Sequence, residues 1–302
     1  MVWAQCSMDL CQQAQGFRYF RGELKGRCAV WRCLKGSIFL SKKILITGAG
    51  SGIGRDAAFA LAARGHQVWA TTLDTGQAEA LERDALAQAL PMQVFKLDIT
   101  SEADRALVVP LALDVLINNA GVGESGALAE VPMDRVRHVF EVNLFATLAL
   151  TQTVLRGMVE RERGTVLLVS SIAGRLPVPF LMPYGMSKFA LSAAGAGLRA
   201  EMDRLHKNIH ISLIEPGAIH TGFNQQMTSR KYDWMNEQSY FWSLRERLKA
   251  EEKRSFDFLE ARDTRSIVAQ IVKAAEARRP RLRYVAPRVQ GWMVRLARMV
   301  GV

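Results

Sequence analysis

Tyr184 and Lys188 stand four residues apart in the stretch Tyr-Gly-Met-Ser-Lys, a spacing that puts both side chains on one face of a helix. A free tyrosine titrates near pH ~10, so it needs help to exchange protons near neutrality. A cation about 4 Å away, at an effective dielectric of about 20, supplies roughly 4 kcal/mol, enough to lower the phenol by up to about three pKa units. Ser171 lies thirteen residues before Tyr184 and ends the apolar run Thr165–Ser171, which reads as a buried strand. A hydroxyl there sits at a strand's carboxyl end, where open α/β sheets hold ligands. Phenol, ammonium and hydroxyl together suit protonating a carbonyl oxygen or deprotonating an alcohol. A tyrosine and a lysine at this spacing also occur on any solvated helix face, so the surrounding elements decide.

The first of those elements is a glycine turn. Lys43–Thr47 is a short apolar run that reads as a parallel strand, and Gly48-Ala-Gly-Ser-Gly52-Ile-Gly54 follows at once. Strong helix formers occupy the next positions, Arg55–Arg64. Strand, turn and helix make a phosphate-binding element: Gly48 for the tight turn, Gly52 for approach of a pyrophosphate, Gly54 for close helix–strand packing. The helix N-terminus offers free N–H groups and partial positive charge to the phosphates. A plain strand–helix turn would explain one or two glycines, not three at this spacing.

The order Thr-Gly-x-x-x-Gly-x-Gly resembles the short-chain dehydrogenase/reductase family, in its single-domain branch. The resemblance spans residues 42–286. It includes Asn118-Asn-Ala-Gly121 after the strand Asp114–Ile117, Asn143 in a long helix, Ser171, Tyr184 with Lys188, and Pro216-Gly217 after the strand Ile209–Ile214. The resemblance implies that Tyr184 is the general acid/base and that Lys188 lowers its pKa and bonds the nicotinamide ribose. It also implies that Ser171 holds the substrate oxygen and that Asn143 anchors a water of a proton relay. Ser170 is a possible confusion, and the thirteen-residue offset to Tyr184 favours Ser171. For the cofactor, the resemblance implies phosphate contacts at Gly48, Ser51, Gly52, Ile53 and Gly54, and adenine contacts at Asp98 and Ile99. Asn118, Ala120 and Gly121 would line the adenine ribose, and Pro216, Gly217, Ile219 and Thr221 the nicotinamide loop. No Gly-x-Ser-x-Gly elbow marks a hydrolase. The five histidines form no triad and no metal-ligand set, so no metal is expected.

Cofactor choice is where the pattern departs. After the strand Gln67–Thr71 an acidic residue would bind the ribose 2′-hydroxyl of NAD, and an arginine just beyond would take the 2′-phosphate of NADP. Thr72 and Leu73 hold those positions, with Asp74 one step late. The missing acid favours NADP slightly over NAD, with Thr71 and Thr72 as hydroxyl donors.

The expected fold is α/β, a single doubly wound Rossmann-type domain over residues 42–286 with a parallel sheet and helices on both faces. Residues 101–113 are short for a helix and contain Pro110, so a truncated helix is expected there. Residues 222–262 follow the cofactor loop and are rich in aromatics: Phe223, Tyr232, Trp234, Tyr240, Phe241, Trp242, Phe256 and Phe258. They read as a substrate lid for a hydrophobic alcohol or ketone. Residues 287–302 read as a basic amphipathic helix, with Trp292, Leu296 and Met299 on one face and Arg295 and Arg298 on another. It could touch an anionic membrane, a pocket or a partner subunit.

All four cysteines fall in the first forty residues, which carry no signal-peptide pattern. Residues 1–41 read as a disordered extension, or as the product of a start assigned too far upstream. Cysteine absence from the body fits a reducing cytoplasm. Of the formal net charge of +11, residues 1–43 hold eight basic and two acidic side chains, and residues 264–302 nine basic and one acidic. The body between is mildly acidic, which argues against nucleic acid as partner. No run approaches the ~18 apolar residues of a membrane span. The expected protein is a cytoplasmic, NAD(P)-dependent oxidoreductase interconverting a secondary alcohol and a ketone. The small residues of the Tyr184 helix suggest a homodimer or homotetramer. The alternative is a non-catalytic dinucleotide-binding sensor or scaffold.

Overall fold

The computed structural model describes residues 41–300, so the expected extension over residues 1–41 falls outside the described residues save for Ser41. Seven strands form one sheet: β1 (Lys43–Ile46), β2 (Gln67–Thr72), β3 (Met92–Lys96), β4 (Val115–Asn118), β5 (Arg163–Val169), β6 (Asn208–Pro216) and β7 (Arg283–Ala286). All neighbours pair parallel, in the order β3-β2-β1-β4-β5-β6-β7. The central strands are apolar almost throughout because parallel sheets are covered on both faces.

Alternation along β1 shows how the faces are shared. Ile44 and Ile46 point to one core with Ala57, Ala58 and Leu61 of α1 (Gly52–Ala62) and Leu81 of α2 (Thr75–Ala87). Leu45 points to the other, which holds Leu116, Leu168 and Leu213 from the sheet. Between β3 and β4 only a five-residue helix, α3 (Glu102–Ala106), and a 3₁₀ turn at Val109–Leu111 form. The Pro110 ring fits that turn's start and would break a longer helix.

One long helical run follows: α4 (Met133–Phe140), a π-helical stretch (Glu141–Ala146) and α5 (Thr147–Glu160). Contrary to the sequence expectation, this run is long and apolar enough to cross a membrane, with a mean hydropathy of 1.2. Its apolar side chains are spent elsewhere: Leu150, Val154, Leu155 and Met158 pack in the second core. Helix α6 (Met182–Asp203) joins them there through Leu191.

Five α-helices complete the described chain. They are α7 (Phe223–Ser229), α8 (Lys231–Trp234), α9 (Arg245–Leu259), α10 (Arg265–Glu276) and α11 (Arg288–Met299). Helix α10 returns Ile267, Ile271 and Ala274 to the first core.

Candidate active site

A cavity of about 1010 Å³ opens at the carboxyl ends of β1, β4, β5 and β6, where the strand order reverses. One wall is the glycine turn. Gly48 and Gly52 adopt positive φ, +65° and +54°, which side chains disfavour. At Gly54 a Cβ would lie 2.3 Å from the Gly48 carbonyl oxygen and 2.4 Å from Asn119 Nδ2. That contact holds helix and turn together, and Asn119 Nδ2 donates to both Thr47 O and Gly48 O. Ser51, at the N-cap of α1, makes no capping bond, which leaves the first-turn N–H groups facing the cavity. The cradle fits a pyrophosphate.

Ser171, Tyr184 and Lys188 line the same cavity. Tyr184 and Lys188 share one face of α6, as their spacing requires. Ser171 follows β5 beside the phenol, its hydroxyl accepting from Ala173 N at 3.1 Å and donating to Pro216 O at 3.5 Å. Ser170 is otherwise occupied, since its hydroxyl donates to Lys188 O at 3.1 Å and contacts Ser192 Oγ at 2.7 Å. Lys188 Nζ donates to Val169 O at 2.9 Å and lies 5.6 Å from the Tyr184 ring centroid.

The electrostatics differ from the sequence expectation. Burial pushes the Tyr184 phenol up to about 12, with the Ser171 hydrogen bond pulling the other way. Burial lowers the Lys188 ammonium to about 8. Both charged forms lose hydration on burial, and that loss dominates both shifts.

Asn143 lies in the π-helical stretch, a feature frequent at functional sites. It is fully buried, and it does not border the cavity. Its Oδ1 accepts from Val122 N at 2.8 Å, and its Nδ2 donates to Val122 O at 2.9 Å and Ser187 Oγ at 3.0 Å. Ser187 in turn donates to Tyr184 O at 2.7 Å. Asn143 therefore clamps the Gly121–Val122 loop to the first turns of α6, and its amide is spent on that clamp rather than turned to the cavity.

The remaining predicted contacts divide. Gly48, Ser51, Gly52, Ile53, Gly54, Asp98, Ile99, Ala120, Gly121, Pro216, Gly217, Ile219 and Thr221 all border the cavity. Thr72 does not: it is buried, and its hydroxyl donates to Asp74 O at 2.8 Å. The strand runs one residue further than the sequence suggests, so Leu73 takes the cavity edge. Asp74 caps α2, accepting from Gln77 N. Asn118 is the second correction. As the last residue of β4 it points into the core and donates to Thr151 Oγ1 at 3.0 Å, while Asn119 takes the cavity side.

Sequence reasoning missed Gln77, His138, Leu176, Val178, Leu181 and Val294, all of which border the cavity. None carries a motif. Of the eight lid aromatics only Phe223 and Phe256 line it. Phe241 stacks edge-on against Phe180 at 5.1 Å, Trp242 takes the Arg245 guanidinium, and Trp234 covers Gly126. A buried carboxylate braces the floor: Glu215 of β6 pairs with Arg175, beyond the Ser171 turn, and with Arg283 of β7. Among the described residues no cluster of three or more His, Cys, Asp or Glu could hold a metal.

Comparison with known proteins gives the same reading of the fold. Residues 42–232 match the short chain dehydrogenase family. Human retinol dehydrogenase 8 is 36% identical over 198 residues, covering 63% of this chain and 62% of that protein. The chain thus spans less than two thirds of that relative's length. Rat estradiol 17-beta-dehydrogenase 1 is 32% identical over 256 residues, covering 81% of this chain and 73% of that protein. The crystal structure of an actinorhodin polyketide ketoreductase with NADPH superposes with a TM-score of 0.65 at 26% identity, covering 78% of this chain and 90% of that one. A glycine cradle, a serine at the end of β5 and a tyrosine–lysine pair on α6 gather in one cavity, and the match runs through all three: the chain belongs to the short-chain dehydrogenase/reductase family.

Proposed function

We propose that this chain is an NAD(P)-dependent oxidoreductase that interconverts a hydrophobic secondary alcohol and its ketone. The observation that carries the reading is the meeting of Ser171, Tyr184 and Lys188 with a pyrophosphate cradle in one cavity. A nicotinamide dinucleotide held by the glycine cradle would supply the hydride chemistry, to a carbonyl carbon or from an alcohol. Ser171 holds the substrate oxygen beside the phenol. Tyr184 gives its proton to that oxygen as charge develops there. Lys188, charged below about pH 8, stabilises the phenolate that remains. Its phenol, raised to about 12 by burial, keeps its proton at neutral pH and can donate it. Asn143 keeps the Gly121–Val122 wall in register with the helix that carries both groups.

Leu176, Val178, Leu181, Phe223, Met227 and Phe256 supply an apolar wall. Such a wall suits a bulky hydrophobic substrate, in keeping with the retinol and estradiol named for two relatives. NADP is favoured over NAD, because no carboxylate borders the cavity at the end of β2. The test is turnover of the purified protein on a panel of hydrophobic ketones with NADPH and with NADH, read as absorbance of the reduced nicotinamide. Turnover of several bulky ketones supports the reading; cofactor binding without turnover of any would favour a sensor.

We further propose a cytoplasmic homodimer that buries the α4–α5 run against α6. Phe145 and Phe189 are exposed on these helices, and at Gly197 a Cβ would meet nothing, so this side is open. Gly195 has the opposite orientation, with Leu213 and Leu168 against it, so only part of the small-residue run faces outward. Sedimentation showing only monomer at micromolar concentration would refute this.

A further inference from the structure

Helix α11 turns an apolar stripe away from the body. Val289, Trp292, Met293, Leu296, Met299 and Val300 are between 51% and 77% exposed, whereas Val294 is buried and borders the cavity. At about 100° per residue the six exposed side chains fall within an arc of roughly 120°, and Arg288, Arg295 and Arg298 occupy the adjoining edge. The helix contains no acidic residue. Gln290 fixes its inner side, donating Nε2 to Leu259 O at 2.7 Å and accepting from Ala218 N at 2.8 Å. The first of these bonds brings the end of α9 alongside, where Phe258 is also strongly exposed. Phe256, two residues earlier, lines the cavity.

We infer that this face docks the protein on an anionic lipid surface, with the stripe in the acyl boundary and the arginines against the headgroups. A basic amphipathic helix binds in this way through apolar burial plus attraction to anionic lipid. Charge decides between occupants. A second copy across a two-fold axis would bring arginine edges together with no carboxylate on the helix to pair them. An anionic bilayer satisfies both the stripe and its edge. Resting on the apolar-substrate reading, Val294 and Phe256 place the substrate cavity directly behind the docking face.

The experiment is flotation of the full-length chain with vesicles of phosphatidylcholine alone and of phosphatidylcholine with phosphatidylserine. The chain is expected to float with the anionic vesicles, and added salt should release it. Replacing two surface arginines, Arg295→Gln with Arg298→Gln, should weaken binding roughly 30-fold. Trp292→Glu with Leu296→Glu should abolish it; if that variant misfolds, the arginine pair still tests the proposal. Three results would overturn it. The parent chain fails to float, or both double variants float like the parent, which moves binding to another basic segment such as residues 1–43. Alternatively, the parent stays off vesicles and Trp292→Glu with Leu296→Glu splits an oligomer, which assigns the face to a second copy. Reduction of a small water-soluble ketone is measured alongside and should be unchanged in both variants. Vesicle binding without any turnover keeps the docking face and refutes the catalytic reading alone.

Discussion

Tyr184→Phe removes one hydroxyl from the site and little else. The ring keeps its contact with Phe223, 5.8 Å between centroids, and its packing on Met227. Ser171 keeps its bonds to Ala173 N at 3.1 Å and Pro216 O at 3.5 Å, so the cost in stability should be no more than about 1 kcal/mol. The cost in rate is much larger. A positioned general acid contributes about 10²- to 10⁴-fold, or roughly 2.7–5.5 kcal/mol of barrier. Ser171 still holds the ketone, so the loss should appear in kcat with KM little changed. The pH profile adds a second signature. Lys188, lowered to about 8, is charged below that pH and neutral above it. Reduction by the parent should therefore be level at lower pH and fall as pH rises through about 8. Alcohol oxidation needs the phenolate, whose pKa lies near 12, so its rate should climb across the same range. The variant should show neither break, only a low level rate. Steady-state kinetics across pH, with reduced nicotinamide followed by absorbance, reads all of this. A variant within about threefold of the parent, or one that keeps the fall above pH 8, would refute the assigned role.

Two further outcomes follow from the corrected geometry. Leu73→Arg sets a guanidinium at the cavity edge, where a charge-assisted bond to a 2′-phosphate should raise the NADPH-to-NADH efficiency ratio roughly 10- to 100-fold; an unmoved ratio would mean that the ribose lies elsewhere. Placing an acid at Thr72 is the poorer test, because that side chain is buried against the Asp74 carbonyl. Glu215→Ala leaves Arg175 and Arg283 without their shared carboxylate and should destabilise the fold by about 3 kcal/mol, the low end for a broken buried pair because both arginines reach water. Urea denaturation measures it, and a loss below about 1 kcal/mol would show that the pair is worth no more than a surface bridge.

The sequence by itself determined what depends on local spacing. Lys43–Ile46, the three glycines and α1 had to form a cradle, because an apolar strand, a turn needing positive φ and a helix start follow one another in the chain. Tyr184 and Lys188 had to share a face once α6 formed, and Ser171 had to lie just past the carboxyl end of β5. These follow from helix and strand periods and need no knowledge of neighbours.

Only the tertiary structure decided where each side chain points and what surrounds it. Asn118 and Asn119 are adjacent and alike in sequence, yet strand alternation sends one to Thr151 in the core and the other to the glycine turn. One extra residue in β2 moves Thr72 off the cavity and brings Leu73 to it. The Tyr184 phenol rises instead of falling because burial is a property of the packed body, not of a four-residue spacing. Periodicity shows that α11 has two faces but not which one the body covers. Here the answer comes from Gly217, where a Cβ would lie 1.9 Å from Gln290 Oε1. That gap seats Gln290, turns Val294 inward to the cavity, and leaves Trp292 and Leu296 facing out.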